Sequence, residues 1–158
     1  MEIREIDKND LPWIKEVFKR EWADDFVVSL GKKHYPKDLL GFIAEKNGEK
    51  VGLLTYEIIG DEIELTSINS FRENQGIGSA LIKYLVEDAK KIKTKRIWVV
   101  TENSNLHGLG FYQKRGFIFK KIYPNSFVKL RKLKPKLPKI SENGIPIRDE
   151  IELEYSLC

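Results

Sequence analysis

Residues 62–91, EIELTSINSFRENQGIGSALIKYLVEDAKK, constrain this chain most, because the hydrophobic period changes partway through them. Over residues 62–68, Ile63, Leu65 and Ser67 alternate with Glu62, Glu64, Thr66 and Ile68, the period of a strand. After residue 76, Ile77, Leu81, Leu85, Ala89 and Ile92 recur at three- to four-residue spacing, the period of an amphipathic helix. The switch falls at Asn74-Gln75-Gly76-Ile77-Gly78-Ser79. Glycines there let backbone approach a ligand closely. The N–H groups of a first helical turn are unpaired and favour an anion. A strand, a glycine-bearing turn and a helix in this order make a phosphate cradle.

Two common cradles are excluded by spacing. A P-loop needs GxxxxGK[ST], and neither its lysine nor its gap is present. A dinucleotide fingerprint needs GxGxxG, and position 81 is Leu81.

The flanking pattern predicts one α/β domain. Residues 2–6 (EIREI) read as an opening strand. A helix follows, capped by Asp10, with Pro12 in its first turn and Leu11, Ile14, Phe18 and Trp22 as its apolar stripe. Residues 24–36 are less regular. Residues 42–45 and 51–59 read as strands joined through Asn47-Gly48, a hairpin signal. With the strand at 62–68 they predict a three-stranded antiparallel meander. Residues 96–101 (RIWVVT) form the continuous apolar run of a strand covered on both faces. Residues 103–116 read as a helix despite Gly108 and Gly110, and residues 117–122 as a strand. Residues 151–157 alternate Ile151, Leu153, Tyr155 and Leu157 with Glu152 and Glu154, a strand with one solvated face.

A second pattern completes the first: Asn105-x-x-Gly108-x-x-Phe111-Tyr112-x-x-x-Gly116-Phe117, beginning 27 residues after Gly78. The first motif resembles the pyrophosphate-binding [RQ]xxGx[GA] of the GNAT N-acetyltransferases. The second resembles that family's NxxAxxFYxxxGF, with glycine for alanine at 108. The chain departs from the first at Glu73, where the family has Arg or Gln; Arg72 stands one residue early. The resemblance covers nearly the whole chain. Residues 101–105 and 144–150 are similar to an uncharacterised prokaryotic branch of the family. It implies a single domain over residues 1–158, with a mixed, mostly antiparallel sheet of about seven strands flanked by helices. Residues 129–149 would be a long basic, proline-containing connection between the last two strands.

The resemblance also implies acetyl-CoA as co-substrate, lying between the 62–68 and 96–101 strands, which splay apart in this family. Its pantetheine amides would pair with backbone near Ile68 and Ser70, as an added strand does. Its pyrophosphate would sit on the amides of Gln75, Gly76, Ile77, Gly78, Ser79 and Ala80, with Asn105 capping its helix or touching the cofactor. An amine attacks the thioester directly, so no protein nucleophile is needed. Tyr112 stands at the family's general-acid position, and packing as a core aromatic is its other reading. Glu64, acting through a water, is the candidate base, with Glu62 on the same face as runner-up. As exposed strand carboxylates they would have no such role.

Composition bounds the rest. Hydrophobic content of 41% and charge of 33% are those of a soluble globular chain, and no run reaches membrane-span length. The cytoplasm is the expected compartment. The lone Cys158 forms no internal disulfide, and two histidines with one cysteine make no ordinary zinc site, so no metal is expected. Residues 129–139 hold six basic residues of eleven, the argument for a nucleic-acid partner. Leucines and prolines interrupt the run and no aromatics interleave for base stacking, so a solvated connection is the better reading. The expected acceptor is the primary amine of a small molecule. A protein lysine or N-terminus is the alternative, and a binding module with a vestigial CoA site the rival of another class. A homodimer stays open. Asp24, Asp25, Glu57, Asp149 and Glu150 could form an acidic acceptor pocket or be surface charge, and His34 reads as a surface or loop histidine. The connection itself is expected to be ordered and to wall the acceptor cleft, placing Arg148, Asp149 and Glu150 beside it.

Overall fold

The computed structural model describes residues 1–157; Cys158 lies outside the described residues. Its main sheet holds strands β1 (Glu2–Glu5), β4 (Leu40–Lys46), β5 (Glu49–Ile59), β6 (Glu62–Ser70), β7 (Arg96–Glu102), β8 (Ile118–Tyr123) and β9 (Glu150–Ser156). Their order is β1-β4-β5-β6-β7-β9-β8, with β6 and β7 the parallel pair and every other neighbour antiparallel. The sheet is therefore mixed and seven-stranded, as expected. Strands β2 (Val27–Ser29) and β3 (Lys32–His34) form a separate hairpin over the irregular 24–36 segment.

Helices cover both faces. Neighbouring residues on one strand go to opposite cores, as the two-residue period requires. Phe42 and Leu54 join helix α2 (Ile77–Lys91) through Ile77, Leu81, Leu85 and Ala89. Ile43 and Leu53 join helix α1 (Leu11–Trp22) through Ile14, Val17 and Phe18. Val17 takes the inward place assigned to Trp22, which lies at the helix end, 37% exposed. Asp10 does not cap α1 with its side chain. Its carboxylate instead accepts from the Asp7 N–H and binds Arg4 at 2.8 and 2.9 Å, closing the 3-10 turn that precedes α1.

One irregularity shapes everything downstream. In the β5–β6 ladder, Thr55 faces Ser67 but Tyr56 faces Leu65, so Thr66 is an extra residue, a β-bulge. Buried Thr55 holds it, its Oγ1 bonding Thr66 Oγ1 at 2.7 Å and Ser67 Oγ at 2.5 Å. The β6–β7 ladder ends at the same level, at Leu65↔Val99, although both strands continue. The bulge bends β6 away from β7, and a cleft opens between them. Thr55→Val is expected to lower stability by about 1–3 kcal/mol, since the buried Ser67 hydroxyl and the half-buried Thr66 hydroxyl lose a partner. Urea unfolding with an unchanged slope measures it; an unaltered midpoint would show that the bulge holds itself.

Three other expectations are corrected. Ile97 and Val99 of β7 are buried, but Trp98 and Val100, on the opposite face of the strand, are only half-buried. The glutamates of β9 do not form a solvated face: β9 lies inside the sheet, and Glu150 and Glu152 are buried. The edge falls to β8, exposed along nearly its whole length. The connection is not a solvated run either. Helix α4 (Phe127–Leu133) opens it, Leu130 and Lys134 are buried, and Arg131 donates to the carbonyls of Pro138 and Ile147. Among the described residues, no helix is long and apolar enough to cross a membrane.

Candidate active site

The parting of β6 and β7 opens into a cavity of about 520 Å³. Thr66, Ser67 and Ile68 line one side and Val100, Thr101 and Glu102 the other, the segments beyond the last paired residues. Strands that part this way leave backbone N–H and C=O groups facing the gap, which an extended ligand can pair with as an added strand does.

At one end lies Glu64, 2% exposed. The β2–β3 hairpin covers it. That hairpin turns at Leu30 and Gly31, both with positive φ, and puts Ser29, paired with Lys32, on the same face as His34, paired with Val27. Ser29 Oγ lies 2.5 Å from Glu64 Oε2 and 2.9 Å from His34 Nε2. The other ring nitrogen, His34 Nδ1, is 3.2 Å from Glu57 Oε2, and Glu57 reaches solvent beside Lys32 at 2.8 Å. Burial pushes the Glu64 carboxyl up to about 7; the Ser29 hydrogen bond opposes this and the Glu57 charge adds to it. Burial likewise lowers His34, against the pull of Glu57. His34 is thus not a surface histidine; strand pairing puts it at 2% exposure. His34, Glu57 and Glu64 offer ligand atoms within 4.8 Å of one another, a grouping that could hold a metal ion. The Ser29 hydroxyl instead links two of them as a hydrogen-bonded chain.

Glu62, the runner-up, is set apart from this group, paired with Arg96 at 3.1 Å. Of the acidic residues suspected of forming a pocket, Glu150 lines the cavity and accepts from the Leu30 N–H at 3.0 Å. Glu57 connects to it through His34. Asp149 is engaged elsewhere, accepting from the Asn125 N–H at 2.6 Å with Arg148 beside it at 3.4 Å. Asp24 and Asp25 act on Lys134, whose Nζ donates to the Trp22 carbonyl at 2.7 Å.

Helix α3 (Leu106–Lys114) supplies another wall. Asn105 caps it, Oδ1 accepting from the Gly108 N–H at 3.0 Å while Nδ2 donates to Thr101 Oγ1 at 2.8 Å. The Asn105 side chain lies so close to Gly108 that an alanine there would have to push it aside. Tyr112 lines the cavity and also packs against Phe111 and Phe117, so it serves core and cleft together. Burial raises its phenol well above the ordinary value, keeping the proton on.

The cradle residues stand past the end of β6. Ser70 and residues 75–80 are not among the cavity-lining residues. Gly76 caps α2 with φ +71, open space beside it, and Gly78 meets the Phe111 ring, which a Cβ would approach to 2.9 Å. Gln75 accepts from Lys46 Nζ at 3.1 Å, and the Ala80 N–H is already bonded to the Gly76 carbonyl. Arg72 pairs with Glu49. Sequence reasoning missed Arg115. Its Nε donates to Ser79 Oγ at 2.9 Å, and its guanidinium lies over the Phe111 ring at 3.8 Å. That puts a cation against the first turn of α2. A basic pair immediately before Gly116 in the second motif was the available signal.

The profile of the "Acetyltransferase (GNAT) family" matches residues 2–117, which hold the bulge, the cradle, α3 and Tyr112. The chain belongs to the GNAT acetyltransferase family. It is an N-acetyltransferase. This GNAT protein is 46% identical over 139 residues to the uncharacterized protein YdhI of Bacillus subtilis (strain 168), 87% of each chain being covered. Its fold superposes on the ribosomal-protein-S18-alanine N-acetyltransferase from Escherichia coli with a TM-score of 0.72, at 21% identity, covering 99% of this chain and 93% of that one. A GNAT family acetyltransferase from Elizabethkingia anophelis with acetyl-CoA bound superposes with a TM-score of 0.70, at 26% identity, covering 99% and 97%. The GNAT match ends before β8, so α4 and β9 contribute to the cavity from outside it.

Proposed function

We propose that this GNAT enzyme transfers the acetyl group of acetyl-CoA directly to the primary amine of a small molecule, with Glu64 as base and Tyr112 as acid. The observation that carries this reading is the cavity at the β6–β7 parting, which has a buried carboxyl of raised affinity for protons on its lining and a fully protonated phenol on the same lining. The acetyl-CoA bound to the Elizabethkingia relative of the same fold supports the choice of donor.

The pantetheine arm would run along Ile68 and Ser70, and the pyrophosphate would rest on the first turn of α2, with Arg115 beside it. Ser79 and the backbone N–H groups of residues 75–79 supply the rest of that anion site. The ammonium first gives one proton to Glu64, the freed amine nitrogen attacks the thioester carbonyl carbon, and the C–S bond breaks. The departing thiolate takes the Tyr112 proton, and the second proton shed by the nitrogen restores the phenol. Val27, Val28, Phe127, Leu130 and Leu137 wall the cavity, with the carboxylates of Glu64 and Glu150 among them. This lining suits an ammonium group on a short apolar body. The hairpin and the 127–149 segment both border it, which favours a compact acceptor over a peptide.

Thiol release from acetyl-CoA, followed with a panel of primary amines including benzylamine and with peptides bearing a free N-terminus or lysine, tests the reading. Turnover with small amines is expected. Turnover confined to peptides would overturn the small-molecule acceptor, and no thiol release with any amine would overturn the transfer.

A further inference from the structure

An acceptor amine enters as an ammonium ion at neutral pH, while the products are a neutral amide and a thiol. Each turnover therefore releases one proton to solvent. Glu64 is buried, so a proton it takes up must leave through a neighbouring group. The structure offers one continuous path. From Glu64 Oε2 it runs 2.5 Å to Ser29 Oγ, then 2.9 Å to His34 Nε2, across the ring to Nδ1, and 3.2 Å to Glu57 Oε2. Glu57 is the first partly exposed carboxylate on that line, with Lys32 against its other oxygen.

We propose that Ser29, His34 and Glu57 form a relay that carries the acceptor's proton from Glu64 to solvent and so resets the base after each turnover. The proposal rests on the reading of Glu64 as the base. The hydrogen bonds permit it in both end states. With Glu64 protonated, its O–H donates to Ser29 Oγ, Ser29 O–H donates to His34 Nε2, and His34 Nδ1–H donates to Glu57. Each proton then moves one place along the line. Glu64 ends as a carboxylate accepting from Ser29, Ser29 accepts from His34 Nε2–H, and Glu57 holds the proton. No proton is gained or lost between the ends, and no atom moves farther than a hydrogen bond. Glu57 then gives its proton to water, and turning of the Ser29 hydroxyl and the His34 ring restores the starting pattern for the next turnover. His34 stays neutral at both ends, in keeping with burial lowering its affinity for protons.

The charged groups around the path favour uptake of the acceptor's proton at Glu64. Lys32 lies against Glu57 and tempers its charge, while Glu152 and Glu57 both add negative potential at Glu64. Glu150 shares the cavity and is occupied by the Leu30 N–H. Trp98 stands opposite Glu64 in the β6–β7 register and offers no acceptor in that direction. The relay also gives the β2–β3 hairpin a use beyond covering the cavity. Its three-residue strands place Ser29 and His34 on one line at a spacing that a flexible loop would not hold.

Rapid mixing of the enzyme with acetyl-CoA and benzylamine at pH 8 tests the relay. Glu64 starts ionised at that pH, so in His34→Gln the first turnover proceeds at the normal rate. Later turnovers wait for the base to reset. The expected trace is a burst of one thiol per active site followed by a steady rate about tenfold lower or less. Added imidazole buffer should restore that rate in the variant and leave the unsubstituted enzyme unchanged. Glu57→Gln, which changes a partly exposed side chain, should show the same burst and serves if His34→Gln does not fold. A steady rate equal to that of the unsubstituted enzyme in both variants would overturn the relay. So would a first turnover slowed as much as the later ones, which would mean that His34 only positions Glu64. Failure of the underlying reading looks different: Glu64→Gln would then keep full turnover, whatever His34 does.

Discussion

Glu64→Gln is expected to lower turnover by about 10²–10⁴-fold, the usual worth of a general acid or base, while acetyl-CoA affinity stays within a factor of two or so. Glutamine keeps the shape and can still bond Ser29 Oγ, so the loss isolates proton transfer. The pH dependence adds a second signature. A base must be ionised, and Glu64 is raised to about 7, chiefly by burial, so turnover should rise with pH through about 7 and level off above it. Stability should run the other way. Between the ordinary 4.5 and about 7 the folded protein holds a proton that the unfolded chain has released, so the contribution of Glu64 is complete below 4.5 and is lost as pH rises to 7. A shift of this size corresponds to about 3 kcal/mol. Glutamine does not titrate, so the difference between the two stability curves should carry that slope. Parallel curves together with unchanged turnover would remove Glu64 from the mechanism.

Tyr112→Phe should lower turnover by about 10²-fold or more without weakening acetyl-CoA binding, since only an interaction made in the transition state is lost. Phenylalanine keeps the ring against Phe111 and Phe117, so the melting temperature should change little. Burial holds the phenol protonated far above neutral pH, so no loss of acid function is expected on the alkaline side up to the limit of protein stability. Full turnover in the phenylalanine variant would leave Tyr112 as a packing residue alone.

The features readable in advance were the local ones. The change of period near residue 76 marks β6 and α2, and the Asn47-Gly48 turn, both residues at positive φ, marks the β4–β5 hairpin. What escaped depends on distant partners. The β2–β3 strands are three residues each, and Leu30-Gly31 is a weak turn signal, so the hairpin that buries Glu64 read as irregular chain. The bulge at Thr66 leaves the apparent alternation of β6 intact and shows only in its pairing with β5. His34 looked solvent-facing because nothing near it in sequence announces Ser29, Glu57 and Glu64 around its ring. The same holds for Arg115, whose partner Ser79 lies 36 residues earlier. The carboxylates of β9 follow the alternation of a half-solvated strand, and only insertion between β7 and β8 buries them.

That insertion has a kinetic consequence. During synthesis β7 and β8 both emerge before β9, and they cannot neighbour each other in the final order. Until β9 arrives, each presents an unpaired edge, the kind of surface that templates association with other chains. Residues 124–149 must also be threaded past before pairing can close, a non-local step of the sort that slows folding. Because Glu150 begins β9, the lining of the cavity is completed only when that strand docks. Newly made chains should therefore pass through a form with α2 and its cradle already assembled but no functional cleft, most prone to self-association at the β7 edge.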